Sequence, residues 1–342
     1  MRRTSEADVI VVGAGPAGCA HAIWCALHGL DVVLFERQPF PRDRAGETLH
    51  PGIESLFAQL GVAEQMTFAS PIRPNGYWIA RKGDIGFVPY APATSANWCG
   101  YQILGRDCDA ILLDRARQVG VSVVQPCDRV DIRLDHDRAT GILHKEQLYA
   151  SRFVIDATGG ARWLSRQLKL PSLFRSARLN ARYGYAEGEC AERNCEPWFE
   201  IDRSHWLWTA RIRPGLYYWS AVRFDSERMQ TPEIFRGMAR SEKVYGADVT
   251  WRCLENPSGS GYFVIGDAAT VVDPASSHGV IRALMAGLQS AHLLLLTFAG
   301  ALTESEASQR YNSWLRQSFD SETATLSGLY RHHHPGTYEI EV

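Results

Sequence analysis

The sequence of 342 residues has no dominant charge: 36 Lys and Arg stand against 38 Asp and Glu, a formal net charge of −2. That removes the electrostatic case for nucleic acid or an anionic membrane surface as a partner. Long hydrophobic runs are missing as well. The most apolar late stretch, 293–302, covers about ten residues, too few to span a bilayer. Near the N-terminus, Glu6 and Asp8 interrupt the apolar run that follows Met1-Arg2-Arg3, which argues against a secretory signal. Cysteines occur at 19, 25, 99, 108, 127, 190, 195 and 253, with neither C-x-x-C nor the Cys/His spacing of a zinc site. They are expected to be free thiols of a cytoplasmic chain with no metal. Internal repeats and low-complexity segments are also lacking.

What is present is an ordinary globular composition, 45% apolar and 22% charged, with a heavy aromatic load of 10 Trp, 13 Tyr and 13 Phe. The length suits roughly two domains and a core that needs no disulfides. The rings either fill that core or line a pocket for a flat ligand.

Residues 8–12 form an apolar run, followed by Gly13-Ala14-Gly15-Pro16-Ala17-Gly18. A small-residue helical pattern continues to about His28, with Gly29 as its cap. A second apolar run, Asp31 to Phe35, ends in Glu36. This is a βαβ unit with G-x-G-x-x-G at its turn. The first Gly permits the turn, the second lets backbone approach a pyrophosphate, and the third lets helix and strand pack closely. The helix N-terminus offers free N–H groups to phosphate, and Glu36 can accept from ribose hydroxyls. Helices are expected at 53–60, 107–119 and 280–297, and one or two over 305–330. Strands are expected at 121–124 and 128–149, with sheet in short pieces over 71–102 and antiparallel sheet over 178–225.

Two later strands carry further motifs. Phe153-Val154-Ile155 runs into Asp156-Ala157-Thr158-Gly159-Gly160, and Tyr262-Phe263-Val264-Ile265 runs into Gly266-Asp267-Ala268-Ala269, with Asp273-Pro274 and Gly279 beyond. In this order the motifs resemble the FAD-dependent family of aromatic-ring hydroxylases, flavin-dependent halogenases and geranylgeranyl reductases. The resemblance implies an α/β fold: a Rossmann-like FAD-binding domain interleaved with an antiparallel β-sheet substrate domain, and a helical C-terminus. The expected division is 1–70, 99–165 and 254–300 for the FAD-binding domain and 71–98 and 166–253 for the substrate domain. Residues 301–342 form a C-terminal helical segment. The resemblance further implies that Gly13, Gly15, Ala17, Gly18, Glu36 and Arg37 hold the ADP half. Arg44, Glu47, Thr48 and Arg106 would lie near the diphosphate and flavin. Asp267 would meet the ribityl chain, and Pro274, Gly279 and Val280 the isoalloxazine. Asp156 and Gly159 would support the site.

Within that family, Arg42-Asp43-Arg44-Ala45-Gly46-Glu47-Thr48-Leu49 and Asp273-Pro274-Ala275-Ser276-Ser277-His278-Gly279-Val280 resemble segments of halogenases. The closer likeness is to the flavoproteins that mature tryptophylquinone-containing amine dehydrogenases and oxidases, which share the Gly-Glu-Thr-Leu segment, the Asp-Pro-x-Ser-Ser-x-Gly loop and compact size. Trp206-Leu207-Trp208 resembles the Trp-x-Trp-x-Ile-Pro of halogenases but continues Thr209-Ala210-Arg211. No Lys stands in register at 75–79 for the halogenase relay of hypohalous acid, and Lys82 falls in a polar turn. The resemblance therefore implies a monooxygenase acting on an electron-rich ring, with dioxygen as co-substrate and a Trp of a partner protein as one substrate. The alternatives are a halogenase, a geranylgeranyl-type reductase and a non-catalytic FAD-binding chaperone. With no second G-x-G-x-x-G, electrons would come from NAD(P)H visiting transiently or from a separate flavin reductase. His50 and His278 are the acid–base candidates. Trp78, Trp206, Trp208 and Tyr218 are the candidates for the substrate pocket. His332-His333-His334 is expected to be a solvated tail.

Overall fold

The structure is a computed structural model and describes residues 4–81, 83–91, 98–193, 196–225, 229–240 and 242–333. Lys82, Cys195 and the side chains of the His332–His334 run lie outside the described residues. The seven described cysteines are free.

One sheet is built around parallel strands β1 (Thr4–Val12), β2 (Val32–Phe35), β7 (Ser122–Val124), β10 (Gln147–Asp156) and β19 (Tyr262–Val264). Strand β18 (Ser258–Gly259) pairs with β19, and β8 (Val130–Asp135) and β9 (Arg138–His144) extend from β10. Val9 to Val12 are buried, as expected of a central parallel strand covered on both faces. Helix α1 (Pro16–Leu27) returns from β1 to β2, and Gly29, with φ +84°, ends it in the left-handed conformation. Helix α6 (Gly279–Phe298) crosses α1 so closely that a Cβ at Gly287 would lie closer than 3.0 Å to Ala17 O. By length and composition alone α6 could cross a membrane, but half of it is buried inside the protein.

A second sheet has the order β16-β12-β15-β14-β13-β4-β5. Its strands are β4 (Gly76–Arg81), β5 (Asp84–Pro89), β12 (Asn180–Glu187), β13 (Trp198–Ile201), β14 (His205–Arg213), β15 (Leu216–Arg223) and β16 (Val244–Asp248). The expected antiparallel pattern holds except at β13 on β4, which is parallel with Trp198 opposite Trp78. The two strands are far apart in the chain, so no hairpin dictates their direction. Between the sheets lies a two-stranded ribbon, β3 (Gly46–Leu49) with β6 (Tyr101–Leu104). A three-stranded sheet of β11 (Ser172–Phe174), β17 (Arg252–Leu254) and β20 (Thr270–Val271) completes the strands.

The helix expected at 53–60 is α2 (Glu54–Leu60), followed by an unanticipated short α3 (Ala63–Phe68). Helix α4 (Gly105–Gln118) begins two residues earlier than the pattern predicts, and the short α5 is Trp163–Gln167. The C-terminal pattern is one helix, α7 (Glu304–His333). Its buried residues Ala307, Tyr311, Leu315, Phe319, Leu326 and Tyr330 form a stripe at helical spacing that docks on the core.

Candidate functional site: a cofactor cradle beside an aromatic sheet face

Gly13 has φ +106°, and a Cβ there would approach Ala157 O more closely than 3.0 Å, so the turn needs glycine for both reasons. A Cβ at Gly18 would strike Gly13 O and come within 2.9 Å of Ala157 Cβ. Gly15 differs: its Cβ would meet only the tip of Arg42, 3.7 Å away, so the space above it is open. Gly15 is the N-cap of α1 and provides no side-chain cap, leaving the helix N–H groups free for an anion. Ala17 is buried under the turn, with its Cβ facing Gly266. Glu36 is buried at the end of β2. Its Oε2 accepts from Ala14 N–H at 2.8 Å and its Oε1 from Gln38 N–H at 2.8 Å. Oε2 keeps capacity for one more donor, while Oε1 also lies 3.4 Å from Arg42 Nη1. Arg37 is exposed just beyond.

An arginine clamp adjoins this turn. Buried Asp109 on α4 accepts from Arg42 Nε and Nη2 at 3.0 and 2.9 Å and from Arg44 Nη1 at 2.7 Å. Arg42 also reaches Glu36 Oε1 at 3.4 Å and covers the Phe40 ring. Arg106, at the start of α4, is partly exposed beside Asp107. Alternation along β3 turns Gly46 and Thr48 toward the second sheet, against Tyr218 and Trp208. Glu47 lies within the field of Arg44, Asp109 and Asp267. Burial pushes its carboxyl up to about 7, Arg44 opposes this, and Asp109 and Asp267 add to it. Asp267 is exposed among buried neighbours at the end of β19.

The Asp273–Val280 turn closes the cradle. Asp273 is fully buried and accepts from Ala275 N–H at 2.7 Å and from the Tyr330 hydroxyl. Burial pushes its carboxyl up to about 6, while Tyr330, Ala275 and the indoles of Trp206 and Trp251 hold it down. Pro274 and Gly279 are exposed and Val280 is buried. Half-exposed His278 caps α6 without a side-chain hydrogen bond to the helix and faces Glu322 at 3.5 Å. Asp156, by contrast, spends both oxygens within the protein, on Thr158 N–H and Oγ1–H and on Leu164 N–H.

On the sheet side, cross-strand pairing puts Trp206, Trp208 and Tyr218 on one inner face. The Trp208 indole donates to Thr48 Oγ1 at 3.1 Å, and Thr48 donates to Gln102 Oε1 at 2.8 Å. Trp208 lies 5.7 Å from Tyr77, which lies 6.2 Å from Tyr90, which in turn meets His50 at 5.2 Å. His50 also meets Trp98 edge-on at 5.1 Å, and Trp98 is exposed. His50 Nδ1 accepts from Gly52 N–H at 3.1 Å, which leaves Nε2 as the proton-bearing nitrogen of the neutral ring. Burial, and then His278, lowers its pKa. Trp78 is placed apart from the other three. It stacks on Trp198 and packs on Phe87 on the outer face of the sheet.

Together these groups fit a dinucleotide. Open glycine backbone and an uncapped helix end face the arginine clamp, exposed Asp267 is available to hydroxyls, and buried Gln102 Nε2 has no hydrogen-bond partner among the described residues. A profile described as an FAD binding domain matches residues 6–318. The chain belongs to this FAD-binding family. A flavin-dependent halogenase of Armillaria mellea is 25% identical, over 96% of this chain and 72% of its own. The 1H-pyrrole-2-carbonyl-(peptidyl-carrier protein) brominase of Pseudoalteromonas luteoviolacea is 29% identical, over 85% of this chain and 78% of its own. The myxobacterial chondrochloren halogenase shares the fold with TM-score 0.86 at 23% identity, over 98% of this chain and 85% of that one. A peptidyl tryptophan dihydroxylase essential for tryptophylquinone cofactor biogenesis shares it with TM-score 0.75 at 20% identity, over 98% and 77%. As in other enzymes of this FAD-binding family, the chemistry is flavoprotein oxidoreduction.

Arg42, Asp109 and Gln102 are the members of the cradle that sequence reasoning did not select. Arg42 had a signal in its alternation with Arg44, and Asp109 in its place three residues after Arg106. Gln102 had none. For this FAD-binding protein the raised Glu47 carboxyl has a measurable effect on stability. Its folded-state value of about 7 exceeds the ordinary 4.5, so the FAD-free fold loses stability as pH rises between the two. Glu47→Gln is expected to raise the Tm of the FAD-free protein at about pH 8, with the gain vanishing toward about pH 4. Thermal melts across pH check this.

Proposed function

We propose that the protein is an FAD-dependent monooxygenase that hydroxylates an electron-rich aromatic ring, with a tryptophan side chain of a partner polypeptide as substrate. The observation that carries this is the run of rings from buried Trp208 through Tyr77 and Tyr90 to His50 and exposed Trp98, bordering the ribbon that also carries Glu47. A flat ring can stack along such a run, and its exposed end suits a side chain delivered from outside. The fold shared with the peptidyl tryptophan dihydroxylase supports the same substrate class.

FAD, when bound and reduced, supplies the activation of dioxygen and the transfer of one oxygen atom. The chain's residues do the rest. Gly13, Gly15, Gly18, Glu36 and Arg37 receive the ADP half. Arg42, Arg44 and Arg106 balance the phosphates, and Asp267 accepts from the ribityl hydroxyls. Pro274, Gly279 and Val280 border the flavin ring. Gln102 fixes the Trp208 indole through Thr48, and Trp206, Trp208 and Tyr218 exclude water from the inner face. The Glu47 carboxyl holds a proton near neutral pH. His50 offers its Nε2–H to the ring end of the site. Trp78 has no place in this pocket. Electrons come from NAD(P)H or a separate flavin reductase, in the cytoplasm.

Halogenation is the second reading, favoured by the halogenase relatives. The relay it requires has no candidate among the described lysines. Lys145, Lys169 and Lys243 are all exposed, none on the inner face. Trp208→Leu tests the monooxygenase pocket. It is expected to keep dioxygen consumption by the reduced holoenzyme while product falls about tenfold and hydrogen peroxide rises in its place, a loss of about 1.4 kcal/mol in productive binding. Unchanged coupling would remove the ring run from the substrate site.

A further inference from the structure

Two side chains of α7 reach the Asp273–Val280 turn, and none of the roles above employs them. Tyr330 is fully buried, stacked on Trp251 with centroids 5.7 Å apart and edge-on to Phe224, and its hydroxyl donates to Asp273 Oδ2. Eight residues earlier on the same face, Glu322 pairs with Arg282 Nη1 at 2.8 Å and lies 3.5 Å from His278 Nδ1. One helix therefore holds both ends of the turn, one at Asp273 and the other at His278 and the first turn of α6. Docking of α7 does not require polar ties, because its apolar stripe from Ala307 to Leu326 is already buried. The ties also decide local charge. A carboxylate as buried as Asp273 is tolerated only with its donors in place, and Glu322 offsets the Arg282 cation at a helix end that already favours negative charge.

We propose that Tyr330 and Glu322 are positioning residues that fix the geometry and charge of the Asp273–Val280 turn, and through it the balance between reduced and oxidised flavin. The inference rests on the reading of this turn as the neighbour of the flavin ring. Without the Glu322 charge, Arg282, two residues beyond Val280 on α6, is left without its carboxylate next to the turn, and its field favours the reduced, more negative ring. Without the Tyr330 hydroxyl, Asp273 holds its proton more tightly, and the site becomes less negative in the same sense.

The test uses the FAD-loaded full chain as wild type, Glu322→Gln, Glu322→Asp and Tyr330→Phe. It reads the midpoint potential of the bound flavin by redox titration, together with FAD affinity and thermal unfolding. Glu322→Gln is expected to bind oxidised FAD about as tightly as wild type. It should raise the preference for reduced over oxidised FAD about tenfold, a positive shift of about 30 mV for a two-electron couple. Glu322→Asp should restore the wild-type value, and the near-isosteric Tyr330→Phe should shift the potential in the same direction with little loss of Tm. Potentials unchanged in both Glu322→Gln and Tyr330→Phe, with FAD bound, overturn the proposal and leave the cofactor site standing. Failure of the wild-type chain to bind FAD overturns both.

Discussion

Gly18→Ala and Gly15→Ala are expected to fail in different ways. At Gly18 the added methyl meets Gly13 O and Ala157 Cβ, which directly follow the parallel-paired strands β1 and β10, and neither can retreat without opening the sheet. Overpacking of this kind typically costs about 1–3 kcal/mol. The variant should melt several degrees lower and hold no cofactor. At Gly15 the same methyl stands 3.7 Å from Arg42 Nη2, an ordinary van der Waals contact, so the fold should survive with its Tm nearly unchanged. What it loses is the close approach of phosphate to the N-terminus of α1, and FAD affinity should fall at least about tenfold, or 1.4 kcal/mol. Thermal melts paired with fluorescence titration of FAD separate the two outcomes. Equal FAD affinity in Gly15→Ala and wild type would place the phosphates elsewhere.

Asp109→Asn should produce the largest stability loss that FAD can itself repair. Asp109 is the single buried carboxylate that ties both Arg42 and Arg44 to α4. Removing one partner of a buried ion pair typically costs about 3–5 kcal/mol, since the other charges stay behind uncompensated. In the FAD-free variant the two guanidinium groups face only the weaker contacts to Glu36 and Glu47, at 3.4 and 3.8 Å. If Arg42 and Arg44 serve the diphosphate, saturating FAD should recover a larger part of the lost Tm in Asp109→Asn than it adds to wild type. A variant destabilised equally with and without FAD would make Asp109 a structural anchor alone.

The contrast between these two predictions also separates what the amino-acid pattern discloses from what it hides. The G-x-G-x-x-G turn is legible because glycine at three fixed offsets has few uses other than a tight turn, and its flanking strands and helix carry unmistakable periodicity. Asp267 and the Asp273–Val280 turn are legible because they end a strand and begin a long apolar helix. The clamp on Asp109 is half-hidden: the motif is local, but the partners lie 67 and 65 residues away, across a connection whose closure no periodicity foretells. The aromatic residues were the least legible. Trp78 and Tyr77 are adjacent, yet one faces outward onto Trp198 and the other inward onto Trp208. Only the pairing register decides which is which, and a one-residue slip exchanges them. The parallel junction of β13 with β4 that sets this register joins strands far apart in sequence. The reach of α7 back to Asp273 is likewise a property of docking, since Tyr330 alone reads as one more residue of an apolar stripe.

Insertion of oxygen into an aromatic ring by this FAD-binding chain is tested most directly by isotope and mass. FAD-loaded enzyme, reduced by an external donor, is mixed with a tryptophan-bearing peptide under isotopically heavy dioxygen in the presence of bromide and chloride. The expected product is a peptide heavier by one or two oxygen atoms drawn from the labelled gas, located on the indole, with no halogen. A brominated or chlorinated peptide, or an unmodified one while the reduced flavin is reoxidised, would contradict it.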